Sequence, residues 1–252
     1  MAGPVWGQSK FVWPEGRQVA VSLSFDDARA SQVTRGLDLF ARHKARVTFY
    51  VNPRSMERQL EGWQRAAKEG HEIGNHSLSH PCSGNFAFAR SRALEEWTAA
   101  RFGEDLDEGK RLIESMLGVK VTTFAYPCGS KFVGRGVETQ STVPVVARRY
   151  LAGRGFRDEA ANDPAFVDLA QVLGVESDGM SFAQLKAAVE RARAGNGWLV
   201  LAGHEIGEPG NQTTQAAALE QFLTYAADPA NGVWLETVEG VARYVRERGA
   251  RK

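Results

Sequence analysis

Val19-Ala20-Val21-Ser22-Leu23-Ser24-Phe25-Asp26-Asp27 alternates large apolar with small residues and stops abruptly at two carboxylates. Alternation with period two is a strand pattern, and the sudden polar end marks where the strand leaves the core. The same design recurs downstream. Val47 to Val51 (Val-Thr-Phe-Tyr-Val) is β-branched and aromatic, and a third strand is expected at the start of the His-rich stretch Gly70–His80. Thr122-Thr123-Phe124-Ala125-Tyr126 ends at Pro127-Cys128-Gly129. Arg148 to Phe156 passes through Gly153-Arg154-Gly155, Gln171 to Glu176 is a weaker sixth segment, and Val233 to Leu235 a last short one. Trp198 to Ala202 is a continuous apolar run, the mark of a strand buried on both faces, and it ends in Gly203-His204-Glu205.

Helical periodicity fills the intervals. Val33, Leu37, Phe40 and Ala41 share one face; Leu60 to Glu69 is closed by Gly70 in the C-terminal stop position. Phe86 to Leu117 reads as helical but broken near Gly103, and Phe182 to Ala194 as a helix with Ser181 as N-cap. Leu219 to Ala226 and Val238 to Val245 complete the set, while residues 130–147 read as a loop. Strands alternating with helices argue for a parallel sheet. Seven or so strands with polar residues at their ends fit a closed or nearly closed barrel, whose site lies at the C-terminal edge. The competing doubly wound open sheet lacks a Gly-x-Gly-x-x-Gly turn to support it.

The 252 residues contain 43% hydrophobic and 24% charged residues, enough for one large core and against disorder. Nothing marks a domain boundary, so residues 1–252 read as a single catalytic domain. A formal net charge of +1 provides no general field for nucleic acid, and the basic tail from Arg246 reads as a solvated end. No run approaches the roughly 18 apolar residues that span a bilayer. Met1 to Lys10 lacks the apolar core of a leader, which points to the cytoplasm, or to export if a signal peptide has been removed. Residues 1–18 read as an irregular lead-in that pins Trp6, Phe11 and Trp13 onto the body. Cys82 and Cys128 are too few for a disulfide framework, and free thiols are expected in such a chain. A disulfide between them, or a cysteine metal ligand, are the alternatives.

In Gly70-His71-Glu72-Ile73-Gly74-Asn75-His76-Ser77-Leu78-Ser79-His80, two histidines stand four apart. On one turn of helix their imidazoles would project side by side and bind one metal ion. A zinc hydrolase also needs a third ligand, a base and a proton donor. Asp26, Asp27 and His204 are available at other strand ends. Singly, each has a bland reading: a strand-end aspartate is often a turn or cap residue, and a lone histidine a satisfied polar group. Together, all at ends of parallel strands, they gather on one face. Asn75 either orients a ligand or caps a turn; Tyr126, Trp198 and Trp234 read as packing, and Thr213-Thr214 as a helix start.

Ser24-Phe25-Asp26-Asp27, the Gly70–His80 stretch, Phe124-Ala125-Tyr126-Pro127-Cys128-Gly129 and Leu199-Val200-Leu201-Ala202-Gly203-His204 resemble the motifs of the polysaccharide deacetylases (NodB homology, carbohydrate esterase family 4). The resemblance runs from about Val19 to His204. It implies an α/β fold, a distorted (β/α) barrel of about seven parallel strands, and a divalent metal, usually Zn2+ with Co2+ or Ni2+ as substitutes. Asp27, His76 and His80 would be metal ligands, Asp26 the base for metal-bound water, His204 the acid, and the Cys128 backbone N–H an oxyanion donor. Three departures stand out. Ala28 replaces the usual glycine and Cys128 an aromatic, and the arginine expected to fix Asp26 is Ala125. Arg154 is the expected substitute, with Arg148, Arg149 and Arg157 as rivals. The fourth motif, an Asp and a Trp, has only Glu176 and Asp178 as loose counterparts. The resulting expectation is a carbohydrate deacetylase that removes acetyl groups, N-linked before O-linked, from an acetylated sugar or polysaccharide. The rivals are an amidohydrolase acting on a small cyclic amide and a non-catalytic carbohydrate-binding module.

Overall fold

The computed structural model describes residues 11–249; Trp6, the N-terminal decamer and the tail beyond Gly249 lie outside them. The main sheet contains β1 (Val19–Asp26), β2 (Thr48–Val51), β3 (Glu72–Asn75) and β4 (Thr123–Ala125). It is completed by β5 (Ala152–Arg154), β6 (Val175–Glu176), β7 (Trp198–Gly203) and β8 (Val233–Leu235). Every pairing is parallel, in the order β5-β4-β3-β2-β1-β7-β6, with β8 also on β1. The sheet curls back on itself. Val172, just ahead of β6, bridges to Arg154 at the end of β5, with the Gly155 N–H donating to the Val172 carbonyl at 2.7 Å. This is a distorted barrel rather than an open doubly wound sheet.

The alternation in β1 now has a spatial cause. Val19, Val21, Leu23 and Phe25 join the cluster that packs under the helices, with Phe40, Trp63 and Phe102. The small residues face the other way, where space is tight: Ser22 accepts from the Trp198 indole at 3.0 Å, and Ser24 donates to the Leu201 carbonyl at 2.9 Å. Ala20, Tyr50, Ala125, Ala152, Val172, Trp198 and Val200 form this inner cluster, closed by Trp13 and by Val238, Val241 and Val245 of the last helix. Two-residue periodicity puts Asp26 on that inner face with Ser22 and Ser24.

Several local expectations change. Ala99–Leu117 is one unbroken helix through Gly103. A Cβ at Gly103 would sit 2.8 Å from Nη2 of Arg149, so the glycine makes room for a guanidinium that pairs with Asp107 one turn on. The stretch from 86 to 98 is not part of that helix but holds the 3₁₀ turns Ala87–Arg92 and Leu94–Glu96. Residues 130–147 are not loop throughout: Phe132–Val133 pairs with Gln140–Ser141, and Val143–Ala147 is helical. Thr213–Gln215 is a strand beside Glu205–Gly207, and the helix begins only at Ala216. Phe11 and Trp13 do pack onto the body, against Tyr244 and, for Trp13, Trp234. No helix among the described residues is long and apolar enough to cross a membrane.

Glu72 holds the opposite end of the barrel from the strand tips. It accepts from Thr48 of β2 at 2.7 Å, from Thr123 of β4, and from the Glu239 backbone N–H at 2.8 Å. Burial pushes its carboxyl up to about 7, against the pull of those three donors. Its folded pKa therefore lies above the ordinary value, so its stabilising contribution is complete below about 4.5 and is lost as pH rises through 7. Glu72→Gln removes this titration. Urea melts should show the wild type losing roughly 3 kcal/mol relative to that variant between pH 5 and pH 8.5; a pH-independent difference would refute it.

Candidate active site

The strand tips of β1, β3, β4, β5 and β7 converge on one cavity of about 880 Å³ that contains Asp26, Asp27, His76, His80, Cys128 and His204 in its walls. His76 and His80 are not on a helix. The chain turns sharply after Asn75, with Ser77 at φ 66° and His80 at φ 51°, left-handed values that a helix excludes. Asp105 stabilises this turn, accepting from the Leu78 N–H at 3.0 Å and the Ser79 hydroxyl at 2.5 Å, while the His80 N–H donates to Ser77 Oγ at 2.9 Å. The two rings end with centroids 4.9 Å apart. The Asn75 side chain hydrogen-bonds neither the backbone of this turn nor either imidazole. Its amide donates to the Leu106 carbonyl and to Tyr150 Oη, tying the tip of β3 to the long helix.

Asp27 Oδ1 faces both histidines, 3.4 Å from His76 Nε2 and 3.2 Å from His80 Nε2, and Arg29 donates to its Oδ2 at 2.9 Å. Burial would raise the Asp27 carboxyl, but hydrogen bonding and charge from His76 and His80 outweigh it and hold the group far below the usual carboxylate range. His76 Nδ1 lies 2.9 Å from the Ala125 carbonyl. A carbonyl can only accept, so Nδ1 carries a proton there, and Nε2 is the ring nitrogen turned towards Asp27. The donor atoms of Asp27, His76 and His80 all lie within 4.8 Å of one another. Two imidazole nitrogens and one ionised carboxylate, one ring already oriented from behind, fit a divalent metal with open coordination positions. His71 has a different task. It sits at the far end of β3 accepting the Val47 N–H at 3.2 Å, and burial lowers it to about 4.

Asp26 points into the barrel and is 3% exposed; Arg154, 0% exposed, pairs with its Oδ1. The register explains the pairing. Ala125 of β4 stands directly opposite Arg154 of β5, so both occupy the same inner layer, and the small Ala125 leaves space for the neighbouring strand's guanidinium. Arg154 also donates to the Gly155 carbonyl at 2.7 Å and lies 5.0 Å from the Tyr50 ring. Arg149 pairs with Asp107 and Arg157 with Glu176. Ala28 adopts φ 53°, a conformation in which glycine is free and alanine strained.

His204 Nδ1 donates to Asp178 Oδ2 at 2.6 Å, and its backbone N–H donates to Oδ1 at 3.1 Å. Thr214 adds a third donor to Asp178 at 3.0 Å. Gly203 permits this approach, because a Cβ there would lie 2.2 Å from Thr214 Oγ1 and 3.0 Å from Asp178 Oδ1. Burial alone would lower the His204 pKa; the Asp178 hydrogen bond, helped by the charges of Asp26 and Asp178, reverses the sign and raises it. Gln32 was invisible in the sequence. Fully buried in a π turn, Gln32–Gly36, it donates to the carbonyls of Asp26 at 2.7 Å and His204 at 2.9 Å, joining two strand ends.

Cys82 and Cys128 form a disulfide with Cα atoms 5.8 Å apart, which corrects the expectation of free thiols. The cause is topological: β3 and β4 are neighbours, so their exit turns meet although 46 residues separate the cysteines. Both sulfurs are thereby withdrawn from metal binding. Tyr126 and Trp198 are fully buried packing residues, and Glu176 is occupied by Arg157 at the rim.

The sequence profile of the polysaccharide deacetylases matches residues 14–141, just over half of the chain. The chain belongs to the polysaccharide deacetylase family. The matched segment supplies Asp26, Asp27, His76, His80 and Cys128; Arg154, Asp178 and His204 lie beyond it. This polysaccharide deacetylase is 38% identical over 113 residues to the peptidoglycan-N-acetylmuramic acid deacetylase PdaC of Bacillus subtilis, covering 44% of the chain and 22% of PdaC. It is 41% identical over 69 residues to the peptidoglycan-N-acetylglucosamine deacetylase PgdA of Listeria monocytogenes, covering 24% of the chain and 13% of PgdA. With the uncharacterized protein YlxY of B. subtilis, identity is 33% over 94 residues, 37% of this chain and 26% of YlxY. The alignments thus span about a quarter or less of each relative. A polysaccharide deacetylase structure described as putative, from Mycobacterium smegmatis, superposes with TM-score 0.68 at 17% identity, covering 96% of this chain and 94% of the other. A Puue allantoinase structure superposes with TM-score 0.66 at 16% identity, covering 92% and 91%. These two likenesses establish the barrel, and the barrel alone does not specify a reaction.

Proposed function

We propose that this protein is a divalent-metal-dependent deacetylase that hydrolyses the N-acetyl group of an acetylated sugar. The observation that carries the reading is the convergence, in one cavity, of Asp27, His76 and His80 with Asp26 and His204, which are backed from behind by the buried partners Arg154 and Asp178. Asp27 Oδ1 and the Nε2 atoms of His76 and His80 would hold the metal, with zinc the first choice for this donor set. Such an ion supplies Lewis acidity, polarising an acyl oxygen and making water acidic enough to ionise near neutral pH. Asp26, fixed by Arg154, takes the proton from the water that adds to the acetyl carbon. The Cys128 backbone N–H donates to the tetrahedral oxyanion, a contribution that can reach about 3–4 kcal/mol. His204, with Nδ1 held by Asp178, gives the Nε2 proton to the sugar nitrogen as the C–N bond breaks, releasing acetate and a free amine. A dead carbohydrate-binding module would have no use for either buried pair. The Cys82–Cys128 disulfide favours an oxidising compartment, and hence export, over the cytoplasm.

The test is metal content after purification without added zinc, followed by acetate release from N-acetylglucosamine oligomers and acetylated xylan. About one metal per chain and acetate release abolished in Asp26→Asn are the expected results. Absence of metal after zinc is supplied, or metal without acetate release from any N-acetylated probe, neutral or anionic, would overturn the reading.

Because Asp178 raises the proton affinity of His204, it keeps the acid protonated to higher pH. In Asp178→Asn the falling limb of the kcat–pH profile should move to lower pH, with kcat down about tenfold or more. A limb that stays in place would show that His204 is not the acid.

A further inference from the structure

The walls of the cavity carry an excess of positive charge that the deacetylation chemistry does not use. Five arginines line it, Arg29, Arg54, Arg58, Arg92 and Arg157, against two carboxylates, Asp26 and Asp27, in a chain whose net charge is only +1. Most charges in the centre are already matched: Asp26 by Arg154, Asp27 by Arg29, and Arg157 by Glu176 outside the lining. Arg54, Arg58 and Arg92 are different. Among the described residues none of the three has a carboxylate at ion-pair distance, and Glu57 and Glu61 on the same stretch as Arg54 and Arg58 are not part of the lining. Arg54 and Arg58 stand exposed at the wall, whereas Arg92 is half-buried and its shielded Nε finds no acceptor. A guanidinium that has lost part of its hydration without gaining a counter-charge is costly unless a ligand supplies one.

The elements bearing them are suited to a sugar. Arg54 lies in the short helix Pro53–Met56 and Arg58 in the 3₁₀ turn Glu57–Gln59 that continues it. Arg92 ends the 3₁₀ segment Ala87–Arg92, which also presents Phe88, with Phe86 just before it. Phe86 and Phe88 line the cavity at 40% and 57% exposure, with ring centroids 5.6 Å apart. Large apolar faces left in water beside unmatched guanidiniums form an amphipathic wall: rings for the apolar face of a pyranose, planar forks for a carboxylate or phosphate.

We propose that the substrate is an N-acetylated sugar bearing a negative charge, a carboxylate or a phosphate, and that Arg54, Arg58 and Arg92 form its anion subsite beside a Phe86–Phe88 shelf. This rests on the deacetylase reading and narrows it. The uncompensated charge raises the local concentration of anionic substrate at the mouth, and bidentate contacts then fix its orientation. Neutral acetylated sugars reach the same metal-site residues but without this hold.

The experiment compares acetate release by the metal-loaded protein from three probes: glycan strands containing N-acetylmuramic acid (carboxylate), N-acetylglucosamine 6-phosphate (phosphate) and chitotriose (neutral). At low salt, kcat/KM for one of the anionic probes should exceed that for chitotriose at least tenfold, through KM, with the margin shrinking as salt screens the subsite. Arg54→Gln/Arg58→Gln and, separately, Arg92→Gln should each reduce that ratio about tenfold. The preferred anionic probe distinguishes carboxylate from phosphate. Acetate release with no anionic preference, or a preference unmoved in both variants, overturns the subsite while deacetylation stands. If no probe releases acetate, the deacetylase reading fails, and calorimetric binding of the same probes decides the subsite: equal or absent binding of anionic and neutral probes overturns it.

Discussion

Arg154→Met is expected to lower kcat for acetate release by about 10²–10⁴-fold, the whole contribution of a positioned general base, and to cost about 3–5 kcal/mol of stability. The reason is the environment of Asp26. Its carboxylate is 3% exposed and Arg154 is 0% exposed, so methionine leaves a buried negative charge without its counter-ion. Without the guanidinium that holds it, the carboxylate also loses the fixed orientation a general base needs. Arg154→Lys restores a charge but not the planar fork that reaches both Asp26 and the Gly155 carbonyl, so only partial recovery is expected. In Asp26→Asn/Arg154→Met the losses should be far from additive, because each single change already disables the pair. Single-turnover kinetics and urea melts on the wild type, the three single variants and the double variant measure both effects. A folded Arg154→Met enzyme with wild-type kcat would refute the role given to this arginine.

Removing the disulfide is the second large effect. Cys82→Ser/Cys128→Ser releases a loop closed across 46 residues, for which chain entropy gives about 4 kcal/mol. In a chain of this size that corresponds to a melting temperature lower by roughly 8–16 °C. Activity should fall as well, since Cys82 follows the proposed ligand His80 by two residues and Cys128 carries the proposed oxyanion donor. The crosslink holds the two turns against each other. Thermal melts of the wild type with and without reductant, beside the double serine variant, give the comparison. Two thiols titrating in denaturant without reductant, with reductant leaving the melting temperature unchanged, would show that the bond does not form.

Much of the fold was legible because its signals are local. Period-two alternation with small residues on one side announced β1, and continuous apolarity announced β7, since a strand between helices and a filled barrel has no polar face. The strand ends were equally readable: a carboxylate or imidazole closing an apolar run has little business there except at the rim. What failed depended on partners distant in sequence. Gly103 reads as a helix break until Arg149 is seen lying across it. The turn at Ser77 and His80 replaced an expected helix because Asp105, from the long helix, satisfies its backbone donors. Gln32 gave no signal at all, being one more polar residue after Asp-Asp.

By itself, then, the sequence determined a parallel α/β barrel and the chemical identity of its rim, because burial and periodicity are written residue by residue. Only the tertiary structure decided the pairings. Arg154 meets Asp26 because β5 lies in register with β4 across Ala125. Asp178 meets His204 because Gly203 leaves space for it. Cys82 meets Cys128 because β3 and β4 are neighbours. Strand order and register are collective properties of the closed sheet, and no stretch of chain contains them alone.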